Sequence, residues 1–377
     1  MGPMDLLALA RAFATDGVPE VVEPLGNGNV NATYLVRTSS GCRYVLQRLN
    51  TAVFAQPELV MANLETLATH AAASITDGSL WQLPTPVPLQ GRDGDGCLSA
   101  TLLRGDDHGA WRMLTFVAGA HSLDVVTQDA EAFEVGRGLG CFHALIHDLP
   151  AEQLADTLEG FHVTPGYHAR YLGLIAAAAA DGSPAAERLA DPRAQWCQSF
   201  VAAREALVPV LEQAKAAGRL QLRPIHGDPK VNNVMLCSRS GCAVAMVDLD
   251  TVKPGLLHYD IGDALRSGCN RSGEETTDFD AVRFDLDLAA AMLRGYLLEA
   301  GAVLSPHDVE HLYDAIRLLP FELGLRFFTD DLEGDVYFKV SRQRHNLERA
   351  IVQFRLTESI EAQEAEIRAL IHELCGP

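Results

Sequence analysis

Hydrophobic and polar residues alternate with two different periods along the 377-residue chain. Between residues 21 and 50, and again over 97–103 and 111–119, β-branched and aromatic residues alternate with polar ones between glycine-containing turns. This period of two predicts antiparallel strands. Residues 57–73 begin with proline and repeat apolar side chains at helical spacing, which predicts a helix within this strand-rich third.

The rest of the chain is dominated by the helical period and contains one strand–loop–strand island, over residues 222–251. This pattern predicts an α+β fold of two lobes. The β-rich N-lobe would span residues 1–118, and the larger helical C-lobe would span residues 119–377. Helices are predicted over residues 5–14, 128–147, 193–217, 280–300, 305–328 and 357–374.

The net charge limits the classes of partner that the protein can bind, because 50 acidic residues outweigh 30 basic ones and give a net charge of -20. Binding to nucleic acid or to an anionic membrane needs basic surface, so we expect neither partner. The N-terminus lacks the basic segment of a secretory signal, and no apolar run approaches the ~20 residues of a membrane span. The eight cysteines form no C-x-x-C pair, which favours free thiols. We therefore expect a cytoplasmic protein with a small-molecule partner.

The strongest chemical signal is a loop with an acidic segment downstream: His226-Gly227-Asp228-Pro229-Lys230-Val231-Asn232-Asn233, then Asp248-Leu249-Asp250. Phosphoryl transfer asks a protein mainly for positioning and for charge neutralisation. Asp228 would orient the attacking hydroxyl and accept its proton, and Lys230 would neutralise charge on the transferred group. Asn233 and Asp248 supply the oxygen ligands that Mg²⁺ prefers.

The spacing of His226, Asp228, Lys230 and Asn233 resembles the protein-kinase catalytic loop, with Asp248 in the place of the D-F-G aspartate. Glycine in place of the loop arginine is typical of the aminoglycoside phosphotransferase and choline kinase branch, which this chain resembles. The resemblance implies a protein-kinase-like bilobal fold, with ATP and Mg²⁺ as cofactors. It also implies that His226 and Asp260 support the catalytic loop without acting on substrate.

The resemblance places a nucleotide site in the N-lobe. Gly26, Gly28 and Asn29 lie in a strand–turn–strand where a phosphate-covering loop belongs, and small residues let backbone N–H groups approach phosphate oxygens. Asn31 stands where kinases have a third glycine. The adenine-binding strand would be Thr115-Phe116-Val117.

The strand YVLQRL should carry the kinase lysine, but Gln47 occupies the matching position and Arg48 follows it. Side chains alternate faces on a strand, so only one of the two can point at the nucleotide. The alignment favours Gln47, whereas the charge favours Arg48. Glu65, or alternatively Glu58, is the candidate partner on the following helix.

Further blocks resemble the N-acetylhexosamine 1-kinase group, and they extend over most of the chain. The resemblance implies a sugar kinase that transfers the γ-phosphate of ATP to the anomeric hydroxyl of an N-acetylhexosamine. Asp228 would then contact that hydroxyl, while Arg326 and Tyr337 would bind the sugar. The blocks are Leu46-Gln47-Arg48, Asn50-Thr51, Trp111-Arg112, Asp248-Leu249-Asp250-Thr251-Val252, Tyr259-Asp260, Arg326-Phe327, Gly334-Asp335, Tyr337-Phe338 and His345-Asn346-Leu347.

Three alternatives stay open at the level of sequence. Arg326 could instead pair with Asp330 or Asp331, while Tyr337 packs in the core. The acceptor could be an aminoglycoside, a choline-like amine or another small metabolite. The chain could also be a nucleotide-binding pseudokinase, for which the unusual Gln47 is the only support. Neither the choice between ATP and GTP nor the oligomeric state follows from the sequence.

Overall fold

The computed structural model of the chain describes residues 5–26, 30–74, 81–91, 101–105, 109–178 and 184–376. Within these ranges the chain forms a small lobe built on one antiparallel sheet and a larger lobe of helices. The predicted α+β, kinase-like bilobal fold is therefore confirmed. None of the helices in these ranges combines the length and hydrophobicity that a bilayer span requires.

The N-lobe is a five-stranded antiparallel sheet in the order β1-β2-β3-β5-β4. A short helix, α1, precedes the sheet and is capped by the Asp5 carboxylate, which accepts from the N–H groups of Leu7 and Ala8. The predicted strand over 97–103 falls mostly outside the described residues. The elements are α1 (Leu6–Ala10), β1 (Pro19–Pro24), β2 (Ala32–Thr38), β3 (Arg43–Leu49), α2 (Pro57–Ser74), β4 (Leu102–Arg104) and β5 (Ala110–Thr115).

Alternation along β3 separates the two faces of this sheet. Leu46 is fully buried in an outer apolar cluster with Trp111 and Met113. Val45 instead packs against the main core, which includes α2 and the C-lobe. Because alternate side chains point to opposite faces, Gln47 shares the face of Val45 and Arg48 lies on the other.

The C-lobe is mainly helical. The helix predicted over 193–217 is two helices, because the chain turns through Glu205–Leu207 and Pro209 cannot continue a helical hydrogen-bond ladder. The predicted C-terminal helix is likewise two helices and begins earlier, at His345. The helices are α3 (Asp129–Ile146), α4 (Thr164–Ala178), α5 (Pro184–Leu189), α6 (Pro192–Ala202), α7 (Val210–Ala216), α8 (Leu257–Gly268), α9 (Leu286–Ala300), α10 (Pro306–Glu310), α11 (Leu312–Glu333), α12 (His345–Ala362) and α13 (Glu364–Cys375).

Helices α3 and α9 are in close backbone contact through two glycines. A Cβ atom on Gly136 would lie 1.9 Å from the carbonyl oxygen of Met292, and one on Gly295 would lie 2.0 Å from that of Phe133. Any side chain at either position would therefore push the helices apart. The contact fixes α3 behind the strands that carry the predicted catalytic loop.

The predicted island forms two small antiparallel sheets, β6-β8-β9 and β7-β10. The loop between β7 and β8 contains residues 226–233, and the segment between β9 and β10 contains residues 247–252. Pairing of β8 with β9 brings the two motif segments side by side, and the N–H of Val247 donates to the carbonyl of Asn233 at 2.9 Å. The strands are β6 (Ala120–His121), β7 (Arg223–Ile225), β8 (Val234–Cys237), β9 (Ala243–Met246) and β10 (Lys253–Gly255).

Candidate active site

The predicted catalytic loop is held by a fully buried carboxylate, that of Asp260 at the start of α8. Its two oxygens accept from the N–H groups of His226 at 2.7 Å and Gly227 at 2.8 Å. A third bond, of 2.9 Å, joins Asp260 to Nε2 of His143 on α3, whose Nδ1 lies 3.0 Å from the hydroxyl of Tyr296. Asp260 therefore fixes the backbone at the start of the loop.

His226 is itself a structural residue of the loop. Its ring is buried, lies edge-on to Phe142, and places Nε2 2.9 Å from the carbonyl oxygen of Val247 in the neighbouring segment. Burial lowers the pKa of this imidazole, which favours the neutral ring. The side chain thus ties the two motif segments together and does not face the cleft.

The backbone conformation at Gly227 explains why the arginine that protein kinases have at this position does not fit. Its φ of +86° belongs to the left-handed region, and a Cβ atom would lie 2.6 Å from the carbonyl oxygen of Thr251. The tight approach lets the loop pack directly on the segment that carries Asp248. Glycine is therefore required by the conformation of the loop.

Asp228 follows Gly227 and reaches the cleft. Its Oδ2 atom lies 2.7 Å from Nζ of Lys230, and its backbone carbonyl accepts at 2.7 Å from Nδ2 of Asn233. The charge of Asp228 raises the pKa of Lys230, so this side chain stays an ammonium ion. The structure thus brings together the predicted base, the predicted cation and one predicted metal ligand.

Asp248 has the left-handed conformation, with φ of +62°, at the end of the preceding strand. Among the described residues its carboxylate makes no hydrogen bond and no ion pair, and the residue is exposed. Desolvation by the surrounding protein, together with the carboxylates of Asp250 and Asp228, still raises its pKa to about 7. A solvent-accessible carboxylate whose negative charge is disfavoured by neighbouring carboxylates is well suited to bind a cation.

The residues present fit a nucleotide-bound Mg²⁺ ion. Asn233 uses its amide nitrogen on Asp228, which leaves its Oδ1 atom for a ligand, and the carboxylate of Asp248 is also free. The described residues contain no group of three His, Cys, Asp or Glu side chains that could hold a metal alone. Mg²⁺ is commonly bound by one or two protein ligands together with substrate phosphates and water, so this small donor set suffices.

Asp250, two residues on, contacts the N-lobe instead. Its Oδ2 atom accepts at 2.6 Å from Nδ2 of Asn31, and its Oδ1 atom pairs with the guanidinium of Arg112 on β5. Arg112 also donates to Oε1 of Gln47 at 3.0 and 2.7 Å. Sequence reasoning missed Arg112 as a partner, since only the strand register places it beside Gln47.

The other predicted N-lobe residues are differently placed. Glu65 is exposed and accepts from the hydroxyl of Thr101, while Glu58 pairs with Arg104 at the surface, so neither acid contacts Gln47.

The predicted adenine-binding strand begins where β5 ends, at Thr115, which bonds to Thr85; Phe116 and Val117 follow beyond the sheet. Gly26 lies just after β1 with φ of +66°. Gly28 and Asn29 lie outside the described residues.

A cavity of about 790 Å³ opens beside Asp228 and extends towards α11 and α12. Arg326 on α11 lines it, with its guanidinium carbon 5.0 to 5.5 Å from the ring centres of Phe161, Tyr167 and Phe338. Among the described residues no side chain forms an ion pair or hydrogen bond with it. The alternative of a pair with Asp330 or Asp331 is not found.

Tyr337 also lines the cavity and is half exposed, so it does not pack in the core. The loop that carries it is suspended from the Asp330 carboxylate, which accepts from the N–H groups of Val336, Tyr337 and Phe338 at 2.8 to 3.0 Å. Asn346 of α12 donates to the same carboxylate at 2.8 Å. Both predicted acceptor residues therefore face the cavity that contains Asp228.

His162 is a further residue of the site that sequence reasoning missed. It is buried with φ of +64°; its Nδ1 lies 2.9 Å from Glu322 and its Nε2 lies 2.7 Å from the carbonyl of Gly227. Both neighbours are acceptors, so only the protonated ring can donate to each of them. Burial opposes the charge, but Glu322 outweighs it and raises the pKa of His162. No local pattern in the sequence signals this pair.

We expect His162→Asn to abolish a pH-dependent part of the stability. The pKa of His162 is raised on folding, so its stabilising contribution is fully present below its ordinary pKa of 6.5 and is lost as pH rises through the higher folded value. Asparagine tolerates the left-handed backbone and does not titrate. Melting temperatures of both proteins between pH about 6 and about 9 measure the difference. A wild-type advantage that stays constant or grows with pH would contradict this assignment.

The fold and the loop define a class: a bilobal kinase-like protein in which Asp228, Lys230 and Asn233 of the predicted catalytic loop are in contact with one another. Residues 21–304, three quarters of the chain, match the model of the phosphotransferase enzyme family. The chain belongs to this family.

Solved structures of similar fold cover nearly the whole chain at low identity. The amicoumacin kinase in complex with AMP-PNP, Ca²⁺ and Ami has a TM-score of 0.59 at 14% identity, over 95% of this chain and 92% of that one. The microcompartment-associated aminopropanol kinase has 0.58 at 17%, over 96% and 97%. The choline kinase from Cryptosporidium parvum Iowa II has 0.55 at 12%, over 93% and 91%. At these identities the likeness shows the fold alone.

Proposed function

We propose that the protein is a Mg²⁺-dependent kinase that transfers the γ-phosphate of ATP to a hydroxyl of a small, uncharged polyol. More narrowly, we propose the anomeric hydroxyl of an N-acetylhexosamine. The proposal of phosphoryl transfer rests on one observation, the contact of Asp228 with Lys230 and Asn233 beside the free carboxylate of Asp248. This set supports turnover and disfavours the pseudokinase alternative.

Each residue has a distinct role in the proposed reaction. Asp228 orients the acceptor hydroxyl and takes its proton, since a carboxylate within hydrogen-bond reach is what general-base catalysis requires. Lys230 leaves Asp228 for the transferred phosphoryl group and neutralises its charge. Asn233 and Asp248 would hold Mg²⁺, which would neutralise negative charge on the nucleotide phosphates.

Arg326 supports an uncharged acceptor. A choline-like acceptor needs open aromatic faces or acids for its cation. In this cavity Arg326 already lies over Phe161, Tyr167 and Phe338, and its positive charge repels a second cation. Its N–H groups lack partners among the described side chains and can donate to a hydroxyl or to the carbonyl of an N-acetyl group.

Three of the acids that line the cavity are paired within the protein, whereas Asp124, which also lines it, has no ion pair among the described residues. Asp263 pairs with Arg266 at 2.7 Å, Glu322 is bonded to His162, and Glu275 is bonded to His345 and Arg349. Their charges are therefore compensated within the protein. An aminoglycoside, a choline-like amine or another small metabolite is the second candidate, and the comparisons favour it over a sugar, because solved proteins of the same fold are named for choline and aminopropanol.

The acceptor is tested by ADP release with a panel of compounds, with Mg²⁺ and with a chelator. The panel contains N-acetylglucosamine, N-acetylgalactosamine, choline, aminopropanol and kanamycin. We expect turnover on an N-acetylhexosamine that depends on Mg²⁺. Turnover on the amines alone would replace the sugar by the second candidate, and nucleotide binding without turnover on any compound would favour a pseudokinase.

Arg326→Gln separates the two acceptor classes by the direction of its effect. A neutral acceptor that accepts from the guanidinium should lose about 10-fold or more in kcat/KM, as expected for a hydrogen bond to a charged group. The kcat/KM for a cationic acceptor should instead rise, because a repulsive charge is removed. Arg239→Gln, in the exposed turn between β8 and β9, is the matched control and should leave kcat/KM unchanged for both acceptor classes.

A further inference from the structure

A buried cation lies beside Gln47 in the N-lobe sheet, but on β5 and not on β3, where protein kinases carry a lysine. Arg112 lies on β5 and is 1% exposed, and the register pairs it with Gln47 on β3. Gln47 accepts from Nε and Nη2 of Arg112 and donates to the hydroxyl of Thr33 at 3.1 Å. Gln47 therefore orients the guanidinium and carries no charge of its own.

The acid that neutralises Arg112 is also in an unexpected place. The candidate acids of α2, Glu58 and Glu65, are exposed and bonded to Arg104 and Thr101. The partner is Asp250 of the C-lobe, which is 2% exposed. Removal of one partner of a buried ion pair strongly destabilises a protein, because the other charge is left uncompensated. This contact therefore constrains both lobes.

Two more N-lobe side chains bind the same C-lobe segment. Asn31, before β2, donates to Asp250, and its Oδ1 atom accepts from the N–H of Asn50 at 3.0 Å. Asn63 on α2 is buried and donates at 2.9 Å to the carbonyl of Val252. Side chains from three parts of the N-lobe thus bind Asp250 and Val252, which follow Asp248 by two and four residues.

We propose that Arg112 is a positioning residue for the divalent ion: through Asp250 it fixes the segment that carries Asp248, with Gln47 as its orienting partner. The Gln47–Arg112–Asp250 contact takes the place of the kinase pair between a β3 lysine and a helix glutamate. The pair now joins the sheet directly to the metal segment and does not pass through α2. This inference rests on the proposed function, because it assumes that Asp248 serves a metal–nucleotide complex.

The test compares Arg112→Gln with the double variant Gln47→Lys/Arg112→Gln, in which a cation returns on the neighbouring strand and the same face. We expect Arg112→Gln to weaken Mg·ADP binding by calorimetry, and to raise the Mg²⁺ concentration for half-maximal rate, by about 10–100-fold, the usual cost of losing an outer partner of a metal site. The KM for the acceptor should not change. Gln47→Lys should recover at least part of the loss.

The controls distinguish positioning from loss of folding and from failure of the proposed function. Arg37→Gln, in the same sheet but exposed and paired with Glu23, should match the wild type. If Arg112→Gln does not fold, Arg112→Lys and the double variant decide, with melting temperature as the check.

Folded Arg112 variants with unchanged Mg²⁺ and Mg·ADP dependence would overturn the inference alone. A folded double variant with no recovery would do the same. A wild-type protein that binds no Mg·ADP would overturn the proposed function first.

Discussion

Replacement of Asp228 by asparagine should lower kcat by about 10²–10⁴-fold, the usual contribution of a positioned general base. The amide cannot take the proton of the acceptor hydroxyl, although it preserves the shape of the side chain. The amide oxygen can still accept from Lys230, so the loop should keep its conformation. Affinity for Mg·ADP, measured by calorimetry, should stay within a few-fold of the wild type.

Single-turnover measurements with saturating ATP and acceptor isolate the chemical step for this variant. Asp287→Asn, the same change at an exposed position in the first turn of α9, is the matched control and should retain full activity. An Asp228→Asn protein that turns over at close to the wild-type rate would remove Asp228 as the base. The catalytic group would then have to be sought elsewhere in the cavity.

Replacement of Asp248 by asparagine should act on a different quantity, the affinity for the metal–nucleotide complex. We expect a loss of at least about 10–100-fold, since removal of a mere outer partner of a metal site already costs that much. Asparagine tolerates the left-handed conformation of this position, with φ of +62°, so the fold should be retained. Calorimetric titration of ADP at fixed Mg²⁺ concentrations measures the effect.

Asp250→Asn provides the contrast for this experiment. It leaves Arg112 buried without its anion, so its first effect should be a lower melting temperature. Asp248→Asn should instead leave the melting temperature of the nucleotide-free protein nearly unchanged, because no bond of the described residues is lost. If Mg·ADP affinity survives Asp248→Asn and is lost only in Asp250→Asn, the metal ligand is Asp250.

The parts of the site that could be predicted from sequence are those that depend on short-range geometry. Asp228, Lys230 and Asn233 lie within one loop, and their contacts follow from its tight conformation. Asp248 could be placed because a strand pair joins it to that loop. Its identity as an uncommitted carboxylate could not be predicted, since it depends on Asp250 having partners elsewhere.

The contacts that escaped prediction join distant parts of the chain. Asn31 and Asp250 are 219 residues apart, and His162 and Glu322 are 160 apart. Each pair depends on how the lobes or helices pack, and propensity and periodicity carry no information on that. Arg112 was visible in the sequence, but only the register of β3 and β5 shows that it lies beside Gln47.

The loop that bears Tyr337 is bonded to Asp330 through backbone N–H groups, so the exposed side chains of Val336 and Tyr337 contribute little to holding it in place, whereas Phe338 packs against Phe327. Val336 and Tyr337 are largely solvent-facing, and substitution there need not disturb the helix from which the loop hangs. If Tyr337 binds the acceptor as we propose, acceptor preference could change by substitution at these two positions without altering the residues proposed to transfer the phosphate. Divergence among relatives should therefore concentrate in the displayed side chains and spare the carboxylate that suspends them.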